Sequence, residues 1–229
     1  MTKAILDGDP PLTLTVRRSR AARRLSLRVS GIDGKVTLTM PPQLSTAEAL
    51  RFAAGNRAWL DARLTERPDA VSPRVGDTWP LQGRMLPLVE GPGRAARLLP
   101  DAIALPPGRP AGPALAAACK DVARQRAAAL VAAHAATLGR SHGRLSLRDT
   151  RSRWGSCTAE GNIMLSWRLV LAPPEIFDYV AAHEVAHLRH MDHSRAFWAT
   201  VAGLCPAFER HRRWLRDHGP DLHRWRFCD

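Results

Sequence analysis

Ala182-His183-Glu184-Val185-Ala186-His187, followed after five residues by His193, decides how this 229-residue chain is read. On a helix, His183 and His187 are one turn apart and leave the same face, so both imidazoles can share one ion. Glu184 sits beside them, placed to take a proton from a metal-activated water. Chance alone gives only about 0.01 matches to His-Glu-x-x-His in a chain with nine His. The flanks agree with a helix: Pro173-Pro174-Glu175 reads as a start, Ile176, Phe177 and Val180 supply an apolar face, and no Gly or Pro interrupts the run to Met191. The bland alternative is a helix whose histidines only pack or face solvent.

Catalytic zinc typically takes three protein ligands and keeps a fourth position for water. His190 is the tempting third ligand, but on a straight helix it lines up above His183 and His187, and three donors in a row cannot surround a tetrahedral ion. His193 is the better choice. It follows Met191-Asp192, where the helix can turn, and precedes Ser194, which reads as the N-cap of a helix from Arg195 to Leu204. Metzincin proteases share the histidine spacing but place Gly where His190 stands and need a later Met-turn, and no Met follows Met191.

The run Arg151-Ser152-Arg153-Trp154-Gly155-Ser156-Cys157, the run Gly161-Asn162-Ile163-Met164-Leu165-Ser166-Trp167-Arg168-Leu169, the His-Glu-x-x-His block and His193-Ser194-x-x-Phe197-Trp198 together resemble the YgjP-like family of metal-dependent hydrolases. That family is grouped with the SprT-like and WLM metallopeptidases. Weaker similarity extends through Arg17-Arg18-Ser19, Leu27-Arg28-Val29, Val36-Thr37-Leu38, Trp59-Leu60 and Gly76-Asp77. The resemblance implies Zn2+ held by His183, His187 and His193, with Glu184 as the catalytic base.

The residues before the zinc helix also make sense without the family. Residues 145–150 and 162–170 have the character of strands, and Thr158-Ala159-Glu160-Gly161-Asn162 reads as a turn. A hairpin here would lie along the cleft, where an edge strand can pair with an extended peptide. Trp154, Gly155 and Ser156 are then substrate-cleft candidates, against the alternative that Trp154 and Trp167 are core aromatics and Gly155 a bulge. Arg151 and Arg153 alternate and so share a face, fit to bind an anionic group or to pair with carboxylates. Tyr179, one turn before His183, could reach the site or simply pack. Cys157 reads as packing, because a zinc site needs no thiol nucleophile. Cys119, Cys157, Cys205 and Cys228 have no C-x-x-C spacing, which argues against a structural zinc or a disulfide framework.

The sequence predicts an α+β fold: a strand-rich N-terminal part, residues 1–105, and a zincin-like catalytic part, residues 106–229, with a small sheet and the His-Glu-x-x-His helix. Leu12 to Val16, Leu25 to Val29 and Val36 to Met40 alternate as strands, with a Gly31–Gly34 turn joining the last two. Ser45-Thr46-Ala47-Glu48 is a capping box opening a helix toward Leu64. Trp79 to Val89 is extended around Gly83, and the Pro and Gly of 100–113 mark the expected boundary. Ala114 to Leu138 is an Ala-rich helix ended by Gly139, and a last helix runs from Pro206 toward His218, with Phe208, Trp214 and Leu215 on its packed side.

With 45% hydrophobic residues the chain can bury a real core. Met1 to Pro11 has no continuous apolar stretch and no run approaches a membrane span, so a cytoplasmic setting without a membrane partner is expected. The net charge of +13 raises nucleic acid as a possible partner through a basic surface, since Arg17, Arg18, Arg20, Arg23, Arg24 and Arg28 could neutralise phosphates. Coding bias toward Arg explains the shortage of Lys but not the excess over carboxylates. The leading functional expectation is a zinc metallopeptidase acting on a peptide or protein substrate. One alternative is a metal-dependent nucleoside triphosphate hydrolase using Arg151, Arg153, Arg168 and Arg189. The other is a basic nucleic-acid-binding protein with a structural metal.

Overall fold

Period-two alternation builds the N-terminal sheet. In the computed structural model, which describes residues 2–31, 33–66 and 69–227, β1 (Thr2–Leu6), β2 (Leu12–Arg18), β3 (Ser26–Val29) and β4 (Val36–Met40) form one sheet in the order β1-β2-β4-β3. β2 runs parallel to β4, and the two outer pairings are antiparallel. Leu14, Val16, Val36, Leu38 and Met40 fall on one face, which is buried against Ala49, Ala53 and Leu60 of α1 (Thr46–Gly55) and α2 (Arg57–Thr65). The expected capping box is present, with Ser45 Oγ accepting from the Glu48 amide and Glu48 accepting from the Ser45 amide. The helix expected to continue to Leu64 breaks at Asn56, whose φ of −109° and ψ of 18° leave the helical region while its side-chain amide donates to the Phe52 carbonyl. The strands flanking the expected Gly31–Gly34 turn do pair, and Ile32 lies outside the described residues.

The second stretch of chain opens with β5 (Thr78–Leu81) and β6 (Arg84–Glu90), joined by Gln82 and Gly83 at φ of 49° and 78°. Two positive φ angles in a two-residue loop match the twist of a hairpin. β7 (Arg97–Leu98) and β8 (Ile103–Leu105) complete a sheet of order β5-β6-β8-β7. α3 (Ala111–Leu138) follows and ends at Gly139, which takes the left-handed conformation at φ 65°. Its buried stripe, Leu115, Cys119, Ala123, Ala127, Val131 and Ala135, recurs every four residues, and the small side chains let neighbouring elements approach closely.

β9 (Leu145–Arg148), β10 (Gly155–Cys157) and β11 (Ile163–Ser166) form the third sheet, order β10-β11-β9, with β10 at an edge. A 3-10 segment, Trp167–Leu171, leads into α4 (Pro174–Ala186), then α5 (Arg195–Leu204) and α6 (Phe208–His218). The architecture is α+β, as expected. By packing, the chain divides into two compact units, 1–69 and 70–229. The Pro- and Gly-rich stretch at 100–113 is no boundary in that division, because Ile103 and Leu105 are buried in the same core as Leu115 of α3. Among the described residues no helix is long and apolar enough to cross a membrane.

Two corrections concern strands and one arginine. Arg151 to Trp154 form a bend rather than a strand, so Arg151 and Arg153 do not share a strand face. The strand expected to reach residue 170 ends at Ser166. Arg168 is buried and structural: it donates to the Asp149 carboxylate at 2.6 and 3.1 Å and to the carbonyls of Leu222 and Trp225 at 3.0 and 3.1 Å. It thereby ties the C-terminal segment to the end of β9 in the third sheet. Arg168→Ala leaves two carbonyls and a carboxylate without their donor, and should cost about 3 kcal/mol in urea unfolding. A change below about 0.5 kcal/mol, the size of ordinary surface substitutions, would contradict that role.

Candidate metal centre

Helix α4 supplies two of the three imidazoles. Pro174 occupies its first turn, where no amide donor is missed, and Ile176, Phe177, Val180, Ala181 and Val185 face the core. His134 of α3 bonds Asp178 at 2.9 Å and ties the helix to its neighbour. His183 and Glu184 lie in the last turn and His187 caps it. The helix therefore ends earlier than the run to Met191 without Gly or Pro suggests: the Leu188 and Arg189 amides donate to the Val185 and Ala186 carbonyls three residues back, and Arg189 Nη2 donates to the Leu138 carbonyl.

That early end positions the third imidazole. The chain turns through Met191-Asp192, Asp192 Oδ1 accepts from the Ser194 amide, and Ser194 Oγ accepts from the Phe197 amide to cap α5. His193 then lies with its Nε2 3.2 Å from His183 Nε2, and His183, His187 and His193 each offer a nitrogen within 4.8 Å of the others. Zinc–nitrogen bonds of 2.0–2.1 Å at tetrahedral angles put neighbouring donors about 3.3 Å apart. The spacing of the first pair meets that requirement.

The tautomers fit a cation as well. His187 Nδ1 donates to the His190 carbonyl at 2.9 Å, which leaves its Nε2 lone pair free to point at a metal. His190 therefore contributes through its backbone, a role that its side chain gave no hint of. His183 Nδ1 is enclosed and has no hydrogen-bond partner among the described residues. Burial, reinforced by the neighbouring His187 and His193, pushes His183 down to about 3, and burial also lowers His187. Both rings are thus neutral, the state a metal ligand needs. Phe197 packs on all three rings at centroid distances of 4.5–4.9 Å, and Trp198 lies 5.6 Å from His183 and 5.8 Å from His193. This apolar wall fixes the ring orientations.

Glu184 points to the other side, toward β10. It is 5% exposed, and burial pushes its carboxyl up to about 8, with Arg153 opposing the shift. A Cβ on Gly155 would stand 2.6 Å from Glu184 Cγ and 2.7 Å from Cδ. The missing side chain at 155 is what lets the carboxylate lie against the strand. Gly155→Ala should push the Glu184 carboxyl about 1 Å off the strand, a displacement that lowers turnover by about 10²-fold where the displaced group takes part in the reaction, and should leave metal content unchanged. Metal analysis alongside kcat checks this, and wild-type kcat in the variant would remove Gly155 from the site.

Other expected residues divide. Ser156 pairs with Met164 in the sheet. The Trp154 ring packs on His223 at 4.9 Å and its carbonyl accepts from the Ser166 amide, which gives it the packing role. Tyr179 is buried, its ring 6.1 Å from His183, and burial pushes its phenol up to about 12. The Cys157 thiol is pushed up to about 11 by burial and the Glu184 charge, so it stays protonated and inert. Cys119 and Cys205 are free, and Cys228 lies outside the described residues. Sequence reading missed Arg212, whose guanidinium sits 4.7 Å over the Trp198 ring. Only the fold brings α6 beside that ring.

Residues 23–218 match the family model described as YgjP-like, metallopeptidase domain. No curated protein matches the sequence. A solved chain, the metallopeptidase zymogen of Pyrococcus abyssi abylysin, is similar at 21% identity over 40% of this chain and 93% of that one, with a TM-score of 0.37. Since the matched span takes in most of the chain and all three clustered histidines, this protein is a metal-dependent hydrolase and belongs to the YgjP-like family.

Proposed function

We propose that the protein is a zinc-dependent peptidase in which His183, His187 and His193 hold the ion and Glu184 is the general base. The observation that carries this reading is the meeting of three imidazole nitrogens within 4.8 Å beside the helix turn that carries a buried carboxyl. An all-imidazole set suits zinc, and among the described residues no fourth His, Cys, Asp or Glu joins it. Closed structural zinc sites take four ligands, so the donor count favours catalysis over a structural metal. When bound, the ion supplies a Lewis acid that polarises the scissile carbonyl and acidifies water.

Glu184 accepts the proton from the attacking water and passes it to the departing amine. Its burial supports that assignment, because a carboxyl shielded from solvent holds a proton more readily and its raised affinity suits a base working near neutrality. Among the described residues, edge strand β10 has one side without a strand partner, where an extended substrate can add as a further strand over Gly155 and Ser156. Arg153 is close enough to act on Glu184, and its cation is suited to an acidic group on the substrate.

The triphosphatase alternative loses one of its cations, because Arg168 is buried and held by Asp149. The deciding experiment assays the wild type and Glu184→Gln side by side on a peptide library and on nucleoside triphosphates. Glu184-dependent cleavage of peptides is expected. Glu184-dependent hydrolysis confined to triphosphates would overturn the peptidase reading.

A further inference from the structure

We infer that the face of the N-terminal sheet opposite α1 and α2 is a binding surface for the phosphate backbone of duplex nucleic acid. Helices α1 and α2 pack on one face only, so alternation sends Lys3, Thr13, Thr15, Arg17, Ser26, Arg28, Thr37 and Thr39 to the other. Strand register makes two rows across it: Lys3-Thr15-Thr37-Arg28 and Arg17-Thr39-Ser26. Four strands at normal spacing set the ends of the longer row about 14 Å apart. The connection from β2 to β3 adds Arg20, Arg23 and Arg24 at one end.

The sign of this surface is uniform. None of the four strands contains an Asp or Glu, and no carboxylate occurs between residues 10 and 31. Lys3, Arg17, Arg20, Arg23, Arg24 and Arg28 are all exposed, and among the described residues none forms an ion pair. This contrasts with Arg57, Arg63, Arg84, Arg124 and Arg216, which each have a carboxylate within 3.0 Å. An ordinary solvated surface mixes signs. Six unpaired cations interleaved with hydroxyl donors instead match a regular array of phosphate oxygens, which accept from both groups.

The missing side chains narrow the occupant. The face has no aromatic residue, so it cannot stack the bases of a single strand, and the contact must be to the backbone. Its single large apolar side chain is Ile5, too little for insertion into a lipid surface. Binding should therefore ignore sequence and depend steeply on salt. Each neutralised phosphate adds about 0.9 to the slope of log affinity against log salt.

The test measures anisotropy of labelled duplex DNA and duplex RNA between about 50 and 200 mM salt. It compares the wild type with Arg17→Gln/Arg23→Gln/Arg24→Gln/Arg28→Gln, with the corresponding four Arg→Lys changes, and with Arg94→Gln/Arg97→Gln/Arg140→Gln/Arg144→Gln as a control of equal charge. The first variant should bind at least about 10-fold more weakly and lose about 3 to 4 from the slope, while the Lys variant and the control keep wild-type slopes. Whether DNA or RNA binds more tightly identifies the source of the phosphates, and either supports the assignment. Equal weakening by the control, an unchanged slope in the first variant, absence of duplex binding, or capture by phosphatidylserine vesicles in preference to either duplex would overturn it. Unchanged melting temperatures in all four proteins exclude misfolding as the cause.

Discussion

Glu184→Gln should lower peptide hydrolysis by about 10²–10⁴-fold while the protein keeps its full complement of metal. The amide has the shape of the carboxyl, so it fits the space left by Gly155, and it replaces no ligand nitrogen. What it lacks is the ability to take a proton. Undiminished turnover in a metal-replete variant would end the general-base assignment, whereas a parallel loss of metal would mean that Glu184 helps to hold the ion. The same substitution has a second signature in metal-stripped protein. Burial raises the folded Glu184 pKa from 4.5 to about 8, so the carboxyl's contribution to stability is full below 4.5 and is lost as pH climbs through about 8. Gln does not ionise and shows no such loss. The difference in melting temperature between stripped variant and stripped wild type should therefore shift in favour of the variant from pH 5 to pH 8.5. A pH-independent difference would show that the carboxyl is not buried in solution.

Local chemistry carried much of this structure in legible form. Ser45 and Glu48, Gly139, Ser194 and the Gly161 turn each act within a few residues of themselves, and each does what its type predicts. The three clustered histidines were legible for the same reason, since helical period and a corner residue suffice to bring them together. Tertiary decisions were not. Nothing between His187 and Met191 disfavours helix by composition; the turn there is held by the Arg189 contact to the end of α3 and by the His187 bond to the His190 carbonyl. Arg168 resembles any surface arginine in sequence, and only a buried setting against Asp149, Leu222 and Trp225 makes it structural. β1 has too little alternation to stand out and owes its existence to pairing with β2. The division near residue 69 has no Gly-rich linker to announce it, while the Pro-rich stretch that looks like one forms β8 and the start of α3.

His193→Ala should abolish stable metal binding, whereas His190→Ala should leave it intact, although the two residues are near neighbours in sequence. His193 supplies the nitrogen 3.2 Å from His183 Nε2, while His190 is used only through its carbonyl, which alanine retains. Removing groups that merely orient a ligand costs 10–100-fold in affinity, so loss of a ligand itself should exceed about 100-fold. At a zinc concentration about 100 times the wild-type dissociation constant, bound metal adds about 2.7 kcal/mol to stability, and His193→Ala forfeits nearly all of it. The melting temperature of that variant should then no longer respond to zinc, while its metal-free melting temperature stays near wild type because His193 is exposed. Atomic emission on dialysed protein and melting curves with and without zinc give two independent readouts. Stoichiometric zinc in His193→Ala would transfer the third ligand elsewhere. Loss of zinc in His190→Ala would show that the side chain, and not the carbonyl bonded to His187, serves the metal.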